Sequence, residues 1–168
     1  MDYLNEFKNV YFDDLLITYK KAIDLGMLAS VTDQRGRILY VNKKFCEISG
    51  FSSSELLGQN HRIVNSEHHA KEFFSNLWAT VRSGNIWFGE IKNKSKNGRC
   101  YWIDAIILPI GTSKNIQYVS LTKEITERKE QESKKEEHIK ELENLFLNPD
   151  LKVNITKLTL LELQNRFK

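Results

Sequence analysis

Two stretches hold the residues best equipped for chemistry. The first, Gly58 to Asn65, reads GQNHRIVN and sets amide, imidazole and guanidinium groups close together at Asn60, His61, Arg62 and Asn65. Groups of this kind bind phosphate or ribose oxygens, and arginine adds a permanent charge and a forked donor set. The second, Asn85 to Asp104, reads NIWFGEIKNKSKNGRCYWID, two strand patterns joined by a Lys-Asn-Gly turn. Within it Asn93 carries a donor and an acceptor on one amide, which suits the neighbouring carbonyl and N–H groups of a planar heterocycle. Trp87 offers such a ring an apolar wall. A cofactor pocket in a small sensor domain is the chemistry these residues point to.

Each of these residues also has a plainer role. Trp87 suits a core position, Asn93 the support of a turn, and the Asn60–Asn65 segment a solvated helix edge. His61, His68 and His69 offer a rival cofactor, because one imidazole suffices to ligate haem iron. As exposed polar residues opening a helix they need no ligand, and no cysteine or carboxylate falls at a spacing that would complete a zinc site. The sequence shows no nucleophile–base pair, no paired carboxylates in a recognisable setting and no phosphate loop. An enzyme is not expected.

The elements that must position these residues follow from periodicity. Leu4, Phe7, Tyr11, Leu15, Tyr19 and Ile23 recur at helical spacing and predict an amphipathic N-terminal helix that Gly26 ends. MLASVT and RILYVN read as a hairpin around Asp33-Gln34-Arg35-Gly36. NKKFCEISG predicts a short helix stopped by Gly50, and Ser52, Ser53 or Ser54 caps a second with Glu55 in its first turn. AKEFFSNLWATVRSG predicts a longer helix, and IWFGEIKN, CYWIDAIILPI and IQYVSLTKEIT predict three more strands. Two strands, a set of helices, then three strands is an α+β arrangement with one antiparallel sheet.

The three expected regions are a helix over 1–25, a sensor domain over 26–127 and a helical signalling or dimerisation segment over 128–168. The last opens with RKEQESKKEEHIKELENLFL, whose alternating charge and late apolar positions suit a short coiled coil as well as a solvated helix, before Asn148-Pro149-Asp150 breaks it.

Composition narrows the class. The 168 residues are 40% apolar and 28% charged with a formal charge of +3, which describes a folded domain without the basic stripe of a nucleic-acid binder. Cys46 and Cys100 stand in no metal spacing, the N-terminus lacks a signal-peptide pattern, and no apolar run approaches a membrane span. A cytoplasmic protein that contacts neither membrane nor nucleic acid is expected, as a homodimer through its flanking helices, with the downstream partner open.

Residues 27–127 resemble the PAS domain family of bacterial sensory modules. The resemblance rests on the hairpin VTDQRGRILYVNKKF, on ISGFSSSELLGQN, on KNKSKNGRCYWIDAIILPI and on the exit EITERK, a near-copy of a closing D-I-T-E-R-K signature with Glu124 in first place. It implies a PAS fold, a five-stranded antiparallel sheet with helices on one face, flanked by the two terminal helices. Trp87 ahead of Gly89, then KNKSKNG and Tyr101-Trp102, are most similar to the flavin-binding PAS domains of the aerotaxis receptor and nitrogen-fixation redox regulator. That branch implies FAD, with FMN, haem or no cofactor as alternatives. It places Trp87 against the flavin, Asn93 at the ring edge and Asn42 nearby.

The light-oxygen-voltage (LOV) branch has a G-x-N-C-R-F-L-Q motif that matches Gly58–Asn65, but His61 replaces its photoreactive cysteine and Thr122 its last-strand glutamine. No thiol–flavin adduct is expected at that position, while a light response without the adduct stays open beside redox or oxygen sensing. The candidate cofactor-binding residues are thus Asn42, Asn60, His61, Arg62, Asn65, Trp87, Asn93, Trp102, Asp104 and Thr122. The implied switch is a reorientation of Asn93 on flavin reduction, passed through the strands around Trp102 and Thr122 to the helix after Thr126.

Overall fold

The computed structural model describes residues 12–112 and 115–147. The expectations for residues 1–11, and for the break and further helix at 148–168, lie outside the described residues. Two compact units emerge, residues 1–126 and 127–168.

In the first unit α1 (Phe12–Gly26) leads into the hairpin of β1 (Leu28–Thr32) and β2 (Ile38–Val41). Next come α2 (Lys43–Ser49), α3 (Ser53–Leu56), a 3-10 turn (His61–Val64) and α4 (Lys71–Arg82). Three strands complete it: β3 (Trp87–Lys94), β4 (Cys100–Thr112) and β5 (Asn115–Glu124). The sheet order is β2-β1-β5-β4-β3 with every neighbouring pair antiparallel, the α+β five-stranded PAS fold that the sequence implies.

Local chemistry explains why the helices start and stop where they do. The Asn42 side chain caps α2, and Gly50 closes it in the left-handed region at φ 72°. Ser52 caps α3 in a reciprocal box with Glu55, since each side chain meets the other residue's backbone N–H. α4 runs without a side-chain cap at Ala70, and buries Leu77 and Val81. Between helices and sheet lies one apolar cluster, with Leu28, Ile38, Phe45, Leu56, Val64, Val81, Ile103 and Ala105 at its centre. Tyr101 is buried among them at 0% exposure.

α1 buries no residue, and Phe12, Leu16, Ile17, Tyr19 and Leu25 are exposed along it. From Glu127 onward α5 (Thr126–Leu147) belongs to the second unit and carries ion pairs along its own turns, Arg128–Glu132 at 3.7 Å and Lys129–Glu132 at 3.1 Å, while His138 lies 3.8 Å from Glu141. Its Ile139 and Leu142 are exposed. Among the described residues, no helix is long and apolar enough to cross a membrane.

Candidate functional site

Alternation along four strands points one row of side chains from each toward the helices. Ser30 and Thr32 come from β1, Ile91 and Asn93 from β3, Ile103 and Ile107 from β4, and Tyr118 and Ser120 from β5. Opposite them α4 presents Lys71, Phe74, Ser75, Trp78 and Arg82, spaced to fall on one side of the helix. The 3-10 turn and its flanks add Asn60, His61, Arg62 and Asn65. These walls enclose a cavity of about 630 Å³, within the range of small-molecule and cofactor sites.

The turn is held rigidly. Asn60 donates from Nδ2 to the Arg35 carbonyl at 2.8 Å, and its Oδ1 accepts from the Arg62 backbone N–H at 3.1 Å and from Arg62 Nε at 3.0 Å. One amide therefore ties the turn to the β1–β2 hairpin and aims a guanidinium. The edge of Trp78 closes the same corner, 3.1 Å from where a Cβ on Gly36 would stand, at a residue whose φ of 75° already favours glycine.

His61 Nε2 lies 3.3 Å from Ser30 Oγ, and its ring meets Phe45 edge-on at 5.6 Å. The residue keeps some accessible surface, but desolvation still governs the imidazole and holds its pKa down to about 4. His61 is therefore neutral near neutral pH. The charged side chains lining the cavity are Arg62, Lys71 and Arg82, all cationic, and no carboxylate joins them.

Asn93 is buried at 5% exposure on the cavity wall. Its strand position is doubly fixed, paired with Tyr101 of β4 on one side and bridged to Asn65 on the other. Tyr101 faces the same way one strand over, and its buried hydroxyl has no hydrogen-bond partner among the described residues. Burial pushes that phenol well above its ordinary pKa. The Asn93 amide comes close enough to favour the ionised form slightly, yet the two do not meet with hydrogen-bond geometry. The hydroxyl is left unsatisfied among the described residues.

Five of the ten candidate residues, Asn60, His61, Arg62, Asn65 and Asn93, converge on the cavity. The other five stand elsewhere. Asn42 spends its amide on structure, its Oδ1 accepting from Ala29 N–H and Phe45 N–H, each at 3.0 Å, and its Nδ2 donating to the Met27 carbonyl at 2.9 Å and to Asp24 at 3.3 Å. Trp87 packs in the core against Phe73 at 5.5 Å, and its ring covers Gly89 so closely that an added Cβ would stand 2.4 Å from it. That contact is the physical reason for a glycine two residues after this tryptophan. Trp102 lies among His68, His69 and Lys92, off the cavity wall. Asp104 is exposed opposite Lys123, and Thr122 is buried beyond the lining residues.

The histidines do not act together. His69 Nε2 accepts the Lys92 backbone N–H at 2.9 Å while its ring stacks on Phe73 at 4.1 Å, and Ser66 Oγ donates to the Lys92 carbonyl. The Ser66–His69 loop thus satisfies both backbone groups of β3 at Lys92. Among the described residues no three histidine, cysteine or carboxylate side chains gather to hold a metal ion. The sequence reading passed over Ser30, Thr32, Tyr118 and Ser120, although strand alternation places them on the inner face. It also passed over Lys71, Trp78 and Arg82, which helical spacing aligns but only packing turns toward the sheet.

A five-stranded sheet holding a cavity against α4 and a polar 3-10 turn is the architecture of a small sensory module. The family model described as PAS domain matches residues 24–127, and the chain belongs to the PAS domain family. It is 37% identical over 83 residues to the aerotaxis receptor of Escherichia coli and 35% identical over 81 residues to the nitrogen fixation regulatory protein of Klebsiella oxytoca. Those matches cover 49% and 48% of this chain but only 16% of each relative's own length. Among solved structures, a PAS domain from Colwellia psychrerythraea aligns with a TM-score of 0.60 at 26% identity, covering 68% of this chain and 99% of that one. The chain thus corresponds to a small part of the length of those relatives.

Proposed function

We propose that this domain is a cytoplasmic sensor that binds a flavin, FAD by preference, and relays its redox state toward α5. The reading is carried by one observation: an apolar cavity of about 630 Å³ holds the buried amide of Asn93 on its wall, and every charged side chain lining it is cationic. A flavin dinucleotide needs the same combination, a flat slot with few polar groups for the ring and positive charge for the diphosphate. Ile91, Ile103, Ile107 and Leu77 supply the slot. Arg62, Lys71 and Arg82 supply the charge, and Asn60 holds Arg62 in place. The similarity to an aerotaxis receptor and a nitrogen fixation regulator supports the same reading.

When bound, the flavin would supply a reversible couple of two electrons and two protons. The chain's own part is to hold the ring edge, exclude water and pass on a change in contacts. Asn93 serves the first in this reading, as its amide offers either N–H or C=O without moving the backbone. The exit toward α5 lies one residue beyond its strand partner. Trp102 donates its N–H to Thr126 Oγ1 at 3.0 Å and accepts the Ile125 N–H at 2.8 Å, so a shift of β4 at Tyr101 is felt at the first residue of α5.

The visible absorption spectrum of the purified protein, with and without dithionite, tests the reading. Paired flavin bands that bleach on reduction support it. A sharp Soret band would replace flavin with haem, and a colourless protein that ignores added FAD would refute it. A second function, homodimerisation, is favoured by the exposed apolar row on α1, and sedimentation at micromolar concentration tests it.

A further inference from the structure

The Tyr101 hydroxyl is an anomaly in the molecule. Buried polar groups almost always find a partner, and an unpaired one calls for an explanation. The residue is fully buried, it is a strand neighbour in register with Asn93, and its oxygen makes no hydrogen bond of proper geometry among the described residues. Across the strand, Asn93 is buried too, at 5% exposure, and its amide lies close enough to the phenol to favour its ionised form slightly. The Asn93 backbone is pinned between β4 and Asn65, so rotation of the amide is the freedom left to it.

We propose that Tyr101 is the positioning residue for Asn93, its hydroxyl serving either orientation of the amide. A phenol both donates and accepts. It can receive a hydrogen bond from Nδ2 while Oδ1 faces the cavity, or give one to Oδ1 while Nδ2 faces the cavity. Phenylalanine could do neither. Tyr101 therefore makes both amide states available, and the group in the cavity selects between them. The inference deepens the flavin reading and rests on it for the ligand, but the proposed hydrogen bond between the two side chains needs the protein alone.

The test uses the full chain with Tyr101→Phe, Asn93→Ala and the double variant. The first readout needs no cofactor: the side-chain amide proton–nitrogen resonances of Asn93, identified by their loss in Asn93→Ala. Tyr101→Phe is expected to move these resonances while those of the β1 and β2 backbone stay in place. The reciprocal measurement does not depend on Tyr101→Phe folding, as Asn93→Ala is expected to move the Tyr101 ring-carbon resonance next to the hydroxyl. The second readout is the midpoint potential of bound FAD, titrated with dithionite against a reference dye. Tyr101→Phe is expected to shift it by about 30 mV, equivalent to about a tenfold change in preference between the oxidised and reduced cofactor.

In the Asn93→Ala background that shift is expected to vanish, a result that loss of packing would not produce. Resonances that stay unmoved in both variants overturn the proposal, as does a potential shift of equal size with and without Asn93. A wild type that takes up no FAD overturns the flavin reading instead, and the resonances then decide the role of Tyr101 by themselves.

Discussion

Acidification from about pH 7.5 to about pH 5 asks His61 to choose between its proton and its place in the fold. The ordinary pKa of 6.5 applies in the unfolded chain, whereas burial beside Ser30 and Phe45 holds the folded value to about 4. Over that interval the unfolded chain binds the proton and the folded one does not, so stability must fall as the pH falls. Linkage makes the loss about 2 kcal/mol by pH 5, rising toward about 3 kcal/mol below pH 4. Most carboxylates have yet to titrate at pH 5, so the upper part of the window reports chiefly on histidine. Urea unfolding at both pH values, on wild type and His61→Gln, isolates the effect, since glutamine keeps a polar group toward Ser30 but takes no proton. The variant is expected to lose about 2 kcal/mol less than wild type over the same interval. Identical losses would show that the imidazole is not desolvated in the fold and would refute the argument.

Three further outcomes are expected. Asn42→Ala removes a helix cap and strands the N–H groups of Ala29 and Phe45 without their partner, and should cost about 2–4 kcal/mol in urea unfolding; a loss below about 0.5 kcal/mol would contradict that account. Gly89→Ala drives a methyl into the Trp87 ring and should destabilise the protein by about 1–3 kcal/mol, with a change in tryptophan fluorescence as the indole is displaced; an unaltered melting curve would show that the ring yields freely. Asn93→Ala should weaken FAD retention about tenfold by removing the buried amide at the ring edge, read by fluorescence titration, and unchanged affinity would remove Asn93 from the site.

Five of the ten candidate site residues reach the cavity, and the division has a physical logic. Asn60, His61, Arg62 and Asn65 sit in one short polar segment, so a single turn delivers them together. Asn93 follows from the alternation of β3. Asn42 is also a buried asparagine close to a strand end, but a helix begins at the next residue, and its amide is worth more there as a cap than facing a ligand. Trp102 and Asp104 sit at even positions of β4, whereas Tyr101, Ile103 and Ile107 occupy the odd positions that face inward. A one-residue step on a strand exchanges one face of the sheet for the other. The neighbour Tyr101 escaped notice because a tyrosine in a strand ordinarily marks a half-buried surface, and nothing local reveals an unpaired hydroxyl.

Sequence by itself determined the order of the elements, their turns, and which side of each strand is apolar, because those properties depend on residues within a few positions of one another. Periodicity and turn chemistry are local, and the five-stranded antiparallel sheet follows from them together with the family pattern. Only the tertiary structure decided which side chains share a cavity. Arg62, Lys71 and Arg82 come from a turn and from both ends of α4, and they line one cavity only because that helix packs across the sheet. The neutral state of His61 and the isolation of the Tyr101 hydroxyl are likewise products of burial, a quantity set by every element packed around a group.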